Sequence, residues 1–274
     1  TYDWIGPNGF TSVNNQNINN LMPGMYTVTI TDQNGCIISD SAEILSGENP
    51  TVAVVIQNVT CFDSINGFMT TSATGGTPPY QFSADGGITF QGSSTFGPTG
   101  AQNYFITVID TLGCTDTASV YVTEPGILAV FSVNIQNASC YDSANGELEA
   151  IVAGGTPAYQ YSIDGGATFQ NSNIFSGLPG GGIPYTITVK DTNNCPSTPS
   201  APATITQPDS LYISVLTFTA VECNGGSTGT ATVVADGGTP NYSYAWSSGS
   251  STDVAPNLIA GNYTIQISDI NGCS

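Results

Sequence analysis

Seven cysteines are the residues of this chain whose type and spacing could do chemistry, and the chemistry they offer is oxidation to disulfides. Cys36, Cys114, Cys195 and Cys273 each stand four residues after an Asp, and Cys61, Cys140 and Cys223 each follow an apolar run. Pairing within repeats would join Cys61 to Cys114, Cys140 to Cys195 and Cys223 to Cys273, leaving Cys36 unpaired with its partner expected upstream. Pairing across linkers would instead join Cys36 to Cys61, Cys114 to Cys140 and Cys195 to Cys223. The first scheme is preferred because each bridge closes one repeat, at about 4 kcal/mol in the chain-entropy model. Strand parity bears on it. An even strand count brings the loop after the first strand and the last hairpin to one end, whereas a head-to-tail string favours an odd count. Zinc is excluded, because the chain has no His and no Cys-x-x-Cys.

Other chemistries have little to work with. Glu147 and Glu149 are the nearest approach to a glycosidase-type carboxylate pair, but they flank Leu148 on one strand and belong to a solvated face. Asp32 with Asn34, and Asp269 with Asn271, offer two side-chain oxygens per loop, short of the six or more that calcium takes. No cofactor is expected, with calcium-stiffened loops as the one alternative. Twenty acidic residues oppose one basic residue, Lys190, for a formal charge of −19. Nucleic acid and anionic membranes need Lys and Arg clusters, so neither is an expected partner. General-base and phosphate-cradling catalysis lack their residues too, and no enzyme is expected. No run of 18 apolar residues is present to span a bilayer.

The elements that must position the cysteines recur. Tyr185-Thr-Ile-Thr-Val-Lys-Asp-Thr-Asn-Asn-Cys195 has counterparts ending at Cys36, Cys114 and Cys273, at intervals of 78, 81 and 78 residues. Each alternates apolar and polar residues and then turns, as a half-buried strand does. Upstream, Met69, Thr71 and Ala73 match Leu148, Ala150 and Val152, and Ala231, Val233 and Ala235, as the core face of another strand. Gly75-Gly-Thr-Pro78, Gly154-Gly-Thr-Pro157 and Gly237-Gly-Thr-Pro240 then read as turns. An aromatic stripe follows: Tyr80 and Phe82; Tyr159 and Tyr161; Tyr242, Tyr244 and Trp246. Alternate spacing makes it the core face of a third strand, or, if exposed, a sugar-stacking platform. Asp85-Gly-Gly and Asp164-Gly-Gly read as hairpin turns leading to short strands at Ile88-Thr-Phe90 and Ala167-Thr-Phe169. Strands after each Cys close the repeats near Pro50, Pro125 and Pro208.

Six or seven short strands per repeat, with no helical period, predict an all-β chain of tandem immunoglobulin-like β-sandwich domains in a linear array. The expected divisions are 1–50, a partial repeat lacking its first strands; 51–126; 127–210; and 211–274, a repeat lacking its last strand. Since Tyr2-Asp-Trp4 matches Tyr244-Ala-Trp246, the chain opens inside a repeat, and more repeats are expected around it.

The combined pattern Cys-x-Asp-Ser-x-Asn-Gly, Gly-Gly-Thr-Pro-x-Tyr and Tyr-Thr-x-Thr-Val-x-Asp-x-Asn-x-Cys resembles the SprB-type repeat of large surface adhesins of gliding Bacteroidetes. It covers nearly the whole chain. The last repeat departs at Glu222-Cys-Asn-Gly-Gly226, and the third has an enlarged loop at Pro179–Pro184. The resemblance implies an extracellular, cell-surface location and a non-enzymatic role as a structural or adhesive stalk in a filament. The alternative is a carbohydrate-binding array of exposed aromatics. Its partners would be itself, through filament formation or lateral pairing of the apolar strands 127–133 and 211–216, and surface glycans. The lineage further implies O-glycosylation at Asp-Ser/Thr followed by an apolar residue, here on Ser41, Ser64, Thr111, Thr117, Ser143 and Ser210.

Overall fold

A computed structural model describes residues 1–274. Apart from one 3-10 turn at Pro7–Gly9 its regular structure is entirely β. Contacts divide the chain into two compact units, Thr1–Val59 with Ile65–Thr123, and Thr60–Ser64 with Glu124–Ser274.

In the first unit, residues 1–50 form one antiparallel sheet of order β2-β1-β3-β4, from β1 (Tyr2–Ile5), β2 (Thr11–Val13), β3 (Gly24–Thr31) and β4 (Ile37–Ile44). No second sheet covers β4, and all eight of its residues are exposed. Tyr26 is buried here, edge-on to Phe10 with ring centroids 5.4 Å apart.

The same unit then holds β5 (Thr51–Gln57), β6 (Gly67–Thr74), β7 (Gln81–Ser83), β8 (Thr95–Thr99), β9 (Gln102–Ile109) and β10 (Thr115–Val122). They pair as two sheets, β5-β6-β8 and β10-β9-β7. Val52, Met69, Phe82, Ile106, Val108 and Val122 fill the space between them. These are the apolar members of alternating strands, so the period-two pattern alone directs them inward.

The second unit repeats this arrangement twice. Strands β11 (Ala129–Gln136), β12 (Gly146–Ala153) and β14 (Ile174–Leu178) face β13 (Gln160–Ser162), β15 (Pro184–Tyr185), β16 (Thr188–Lys190) and β17 (Ala203–Thr204) across a core including Leu148, Tyr161, Ile187, Val189 and Ile205. Pro196, Pro199 and Pro202 remove N–H donors from the segment matching β10, and its ladder shrinks to β17. Strands β18 (Tyr212–Thr219), β19 (Gly229–Asp236) and β21 (Val254–Leu258) likewise face β20 (Ser243–Trp246) and β22 (Ile265–Ser268).

The expected strands at 88–90 and 167–169 do not form. Asp85 accepts from the backbone N–H groups of Ile88 and Thr89 and from the Thr89 hydroxyl, so those residues wrap around its carboxylate. The chain reverses one step later, where Gln91 exchanges backbone hydrogen bonds with Phe82 at 2.8 and 2.9 Å. Gln170 does the same with Tyr161. That single bridge is a seventh strand reduced to one residue, and it makes the count odd.

Candidate functional site

The odd count decides where the cysteines go. In the third repeat the Asp191 carboxylate accepts the Thr156 N–H at 2.9 Å, so the Cys195 loop sits at the Gly-Gly-Thr-Pro turn, where β11 enters. At the other end of β11, Ala138 donates its N–H to Thr206 at 3.0 Å, and Cys140 follows. Eight residues of strand, about 25 Å at 3.3 Å each, separate the two positions. A disulfide spans no more than about 7 Å between Cα atoms. The expected pairs Cys61–Cys114, Cys140–Cys195 and Cys223–Cys273 are therefore replaced. Cys61 bridges Cys195, with Cα atoms 5.6 Å apart, and Cys140 bridges Cys273 at 5.7 Å. Cys36, Cys114 and Cys223 are unpaired. The linker-crossing scheme is not observed either.

Each bridge carries the same polar frame. Asn193 donates its side-chain amide to the Thr60 carbonyl at 3.2 Å, and Asn271 donates to Ser139 at 3.0 Å, each to the residue preceding the partner cysteine. The Asp upstream holds the loop. Oδ1 of Asp191 accepts the N–H groups of Asn193 and Cys195, both at 2.9 Å, and Asp269 does the same for Asn271 and Cys273. Asp110 repeats this with Leu112 and Cys114. The N–H of Thr77 on its carboxylate is the main cause holding Asp110 below the ordinary carboxylate range. Burial opposes ionisation of Asp269, but donors from Thr239, Cys273 and Asn271 outweigh it and keep that carboxyl low as well. Asp32 holds Asn34 and Cys36 in the same way. These N–H donors make each Asp a clamp on its own turn.

The aromatic stripe faces inward. Phe82, Tyr161 and Trp246 are buried, and Tyr80, Tyr159, Tyr242 and Tyr244 pack against the cores. The hydroxyls of Tyr80, Tyr159 and Tyr242 reach back to the carbonyls of Gly75, Gly154 and Gly237, pinning the turn whose paired glycines have left-handed backbones. Rings exposed at equivalent positions remain at Phe62 and Tyr141, each next to a bridged cysteine. Glu149 accepts from Asn134 and Asn173 on the outer face of β12, behind the fully buried Leu148.

A groove of about 700 Å³ lies in the fourth repeat between Leu216, Phe218, Gly229, Trp246, Leu258 and Tyr263. Its origin is visible in the other repeats. Val122 lies against Gly67, and Ile205 lies against Gly146 so closely that an added Cβ would meet it at 2.6 Å. Gly229 is the matching glycine, and its near neighbours are Val221 and Leu258.

The sequence-predicted modification sites are dispersed. Ser41 is exposed in β4 and Ser210 in the segment before β18. Thr111 donates its hydroxyl to Thr77 and Thr117 shares a hydrogen bond with Thr107. Ser143 donates to the Cys140 carbonyl, and Ser64 occupies the same turn after Cys61.

Among solved structures, the chain is similar to Sidekick-1 immunoglobulin domains 1–5, with 10% identity and a TM-score of 0.39, covering 99% of this chain and 71% of that one. It is also similar to the N-terminal eight Ig domains of Down Syndrome Cell Adhesion Molecule, with 12% identity and a TM-score of 0.30, over 100% of this chain and 43% of that one. A C-terminal fragment of intimin, solved with its receptor's binding domain, has 10% identity and a TM-score of 0.27, over 70% and 60%. The tandem immunoglobulin-like sandwiches stand on the strand pairing itself. A search of curated proteins returned no match. The SprB repeat model matches residues 53–89, 132–168 and 215–251, each time from the first strand through the turn after the third. Three segments of the chain thus match the SprB repeat.

Proposed function

We propose that this chain is a non-enzymatic, disulfide-stapled stalk within an exported bacterial surface adhesin or filament. The observation that carries this reading is that both bridges run from one repeat to the next rather than within a repeat. A bridge inside a sandwich secures only that sandwich, whereas a bridge to the next one lets covalent bonds carry tension along the string. The two disulfide loops overlap between Cys140 and Cys195, so the shortest covalent path from Cys61 to Cys273 runs through that segment alone. Disulfides also favour an oxidising, extracellular setting, where O-glycans on Ser41, Ser64, Thr111, Thr117, Ser143 and Ser210 would add to a weakly charged polar surface. Lateral pairing through the sheet-edge strands β11 and β18 belongs to the same proposal.

Pulling single chains by their ends tests load-bearing. With bridges intact, the span from Cys61 to Cys273 should stop extending at about 190 Å, and after reduction at about 700 Å, at roughly 3.4 Å per residue. Equal lengths in both states would sink the stalk as drawn. Phe62 and Tyr141 favour a second reading, glycan contact beside the bridges, and a glycan array probed with Tyr141→Ala checks it.

A further inference from the structure

Both bridges obey one rule. The cysteine after a repeat's first strand joins the cysteine of the Asp-x-x-x-Cys loop in the next repeat, at separations of 134 and 133 residues. By that rule Cys223 takes a loop cysteine from a following repeat, and Cys36 and Cys114 take first-strand cysteines from preceding ones. We propose that the unpaired cysteines are open rungs of this ladder, and that Cys223 forms a disulfide with the loop cysteine of another SprB-type repeat, Cys36 of a second copy being the matched partner within this sequence.

The local geometry of both half-sites is already that of a finished rung. Asp32 Oδ1 accepts the N–H groups of Asn34 and Cys36 at 2.8 Å each, as Asp191 and Asp269 do beside Cys195 and Cys273. Asn34 occupies the position from which Asn193 and Asn271 reach the partner's carbonyl. On the other side, the Gly226 N–H donates to the Cys223 carbonyl at 2.9 Å, as Ser143 does to Cys140 and Ser64 to Cys61. The Glu222 N–H donates to the Thr228 hydroxyl oxygen at 3.0 Å, as the Ser139 N–H donates to the Asn145 side-chain oxygen. The Glu222 carbonyl thus stands where Thr60 and Ser139 accept the bridging Asn. Cys36 and Cys223 are both exposed. Cys114 is the poorer partner, since Leu112 replaces the Asn and offers no donor.

Formation of the rung joins the two sulfurs and releases two protons and two electrons, which reduce a low-molecular-weight disulfide to two thiols. The ladder rests on the bridges and not on adhesion or export, so either can fail without the other.

The test uses the purified 274-residue chain equilibrated with oxidised and reduced glutathione, run on non-reducing gels, then digested with pepsin for mass spectrometry of linked peptides. Covalent oligomers carrying Cys223–Cys36 links are expected, with Cys61–Cys195 and Cys140–Cys273 retained. Cys36→Ser, an exposed change, should lower oligomer yield at least tenfold. In surface-extracted material the same peptide map separates the two sources: a partner peptide from a second copy, or an Asp-x-x-x-Cys peptide from sequence outside these residues. Cys223 found free, capped by glutathione, or joined to another first-strand cysteine would overturn the ladder, as would oligomers undiminished by Cys36→Ser.

Discussion

The Thr77 N–H points into the Asp110 carboxylate at 2.9 Å, so the loop bearing Cys114 and the turn opening the third strand of the repeat are fastened by one side chain. Asp269 fastens Thr239 in the same manner at 2.8 Å. Together with Asp85 and Asp164, whose carboxylates are held low chiefly by hydroxyls of Ser83 and Thr168, they give the fold four acid-sensitive clamps.

Depressed folded-state values mean stability that is complete above the unfolded carboxylate value of about 3.9 and lost as pH falls through the folded values. Melting temperature should therefore be flat from about pH 5 to 8 and decline below about pH 4. Asp269→Asn should lower it at pH 7 and reduce the gap between pH 7 and pH 3. Calorimetry across that range decides, and an unchanged gap would remove Asp269 from the clamps.

Breaking a bridge should cost stability where the bridge lies. Loops of about 130 residues correspond to about 5 kcal/mol in the chain-entropy model. Cys140→Ser should accordingly lower the transition of the third and fourth repeats by up to that amount, while the second repeat, which has no bridge within its sandwich, keeps its own transition. Denaturant titration of the variant and the parent chain measures both.

Gly146 is required by a neighbour rather than by its backbone. An added methyl would meet Cγ2 of Ile205 at 2.6 Å and Cδ1 at 2.9 Å. Gly146→Ala should destabilise by about 1–3 kcal/mol through overpacking. Ile205→Val should relieve part of it, giving a double-mutant cycle with non-zero coupling.

The groove of the fourth repeat should accept a strand. A synthetic peptide spanning Thr115–Thr123 carries the β10 pattern, with Val122 fully buried in its own repeat. It should quench or shift Trp246 fluorescence and raise the melting temperature of the fourth repeat, and a peptide with Val122→Asp should do neither. Binding of both peptides alike would mean an unspecific apolar surface.

Much of this was legible in the residues. The alternation of Met69, Thr71 and Ala73 places them on one face, the paired glycines of the Gly-Gly-Thr-Pro turns take left-handed angles, and the stripe ending at Phe82, Tyr161 and Trp246 lies in the core. The disulfide partners were not legible, because they depend on which end of the sandwich each loop occupies. That depends in turn on a reversal at Gln91 and Gln170, where one residue pairs and no run of β-branched residues announces a strand. Only the parity of a head-to-tail string pointed toward it. The glycine facing the closing strand was also hidden, since Asn-Gly looks like a turn and its real constraint is a side chain some 55 to 59 residues away.

Lys190 is the single place where a protease specific for Lys and Arg can cut, and its ammonium lies 4.3 Å from the centre of the Phe169 ring. The bond after it falls between Cys140 and Cys195, inside both disulfide loops. A chain nicked there would still be one covalent object, held twice across the cut, so such digestion would leave a scar on the molecule without shortening it.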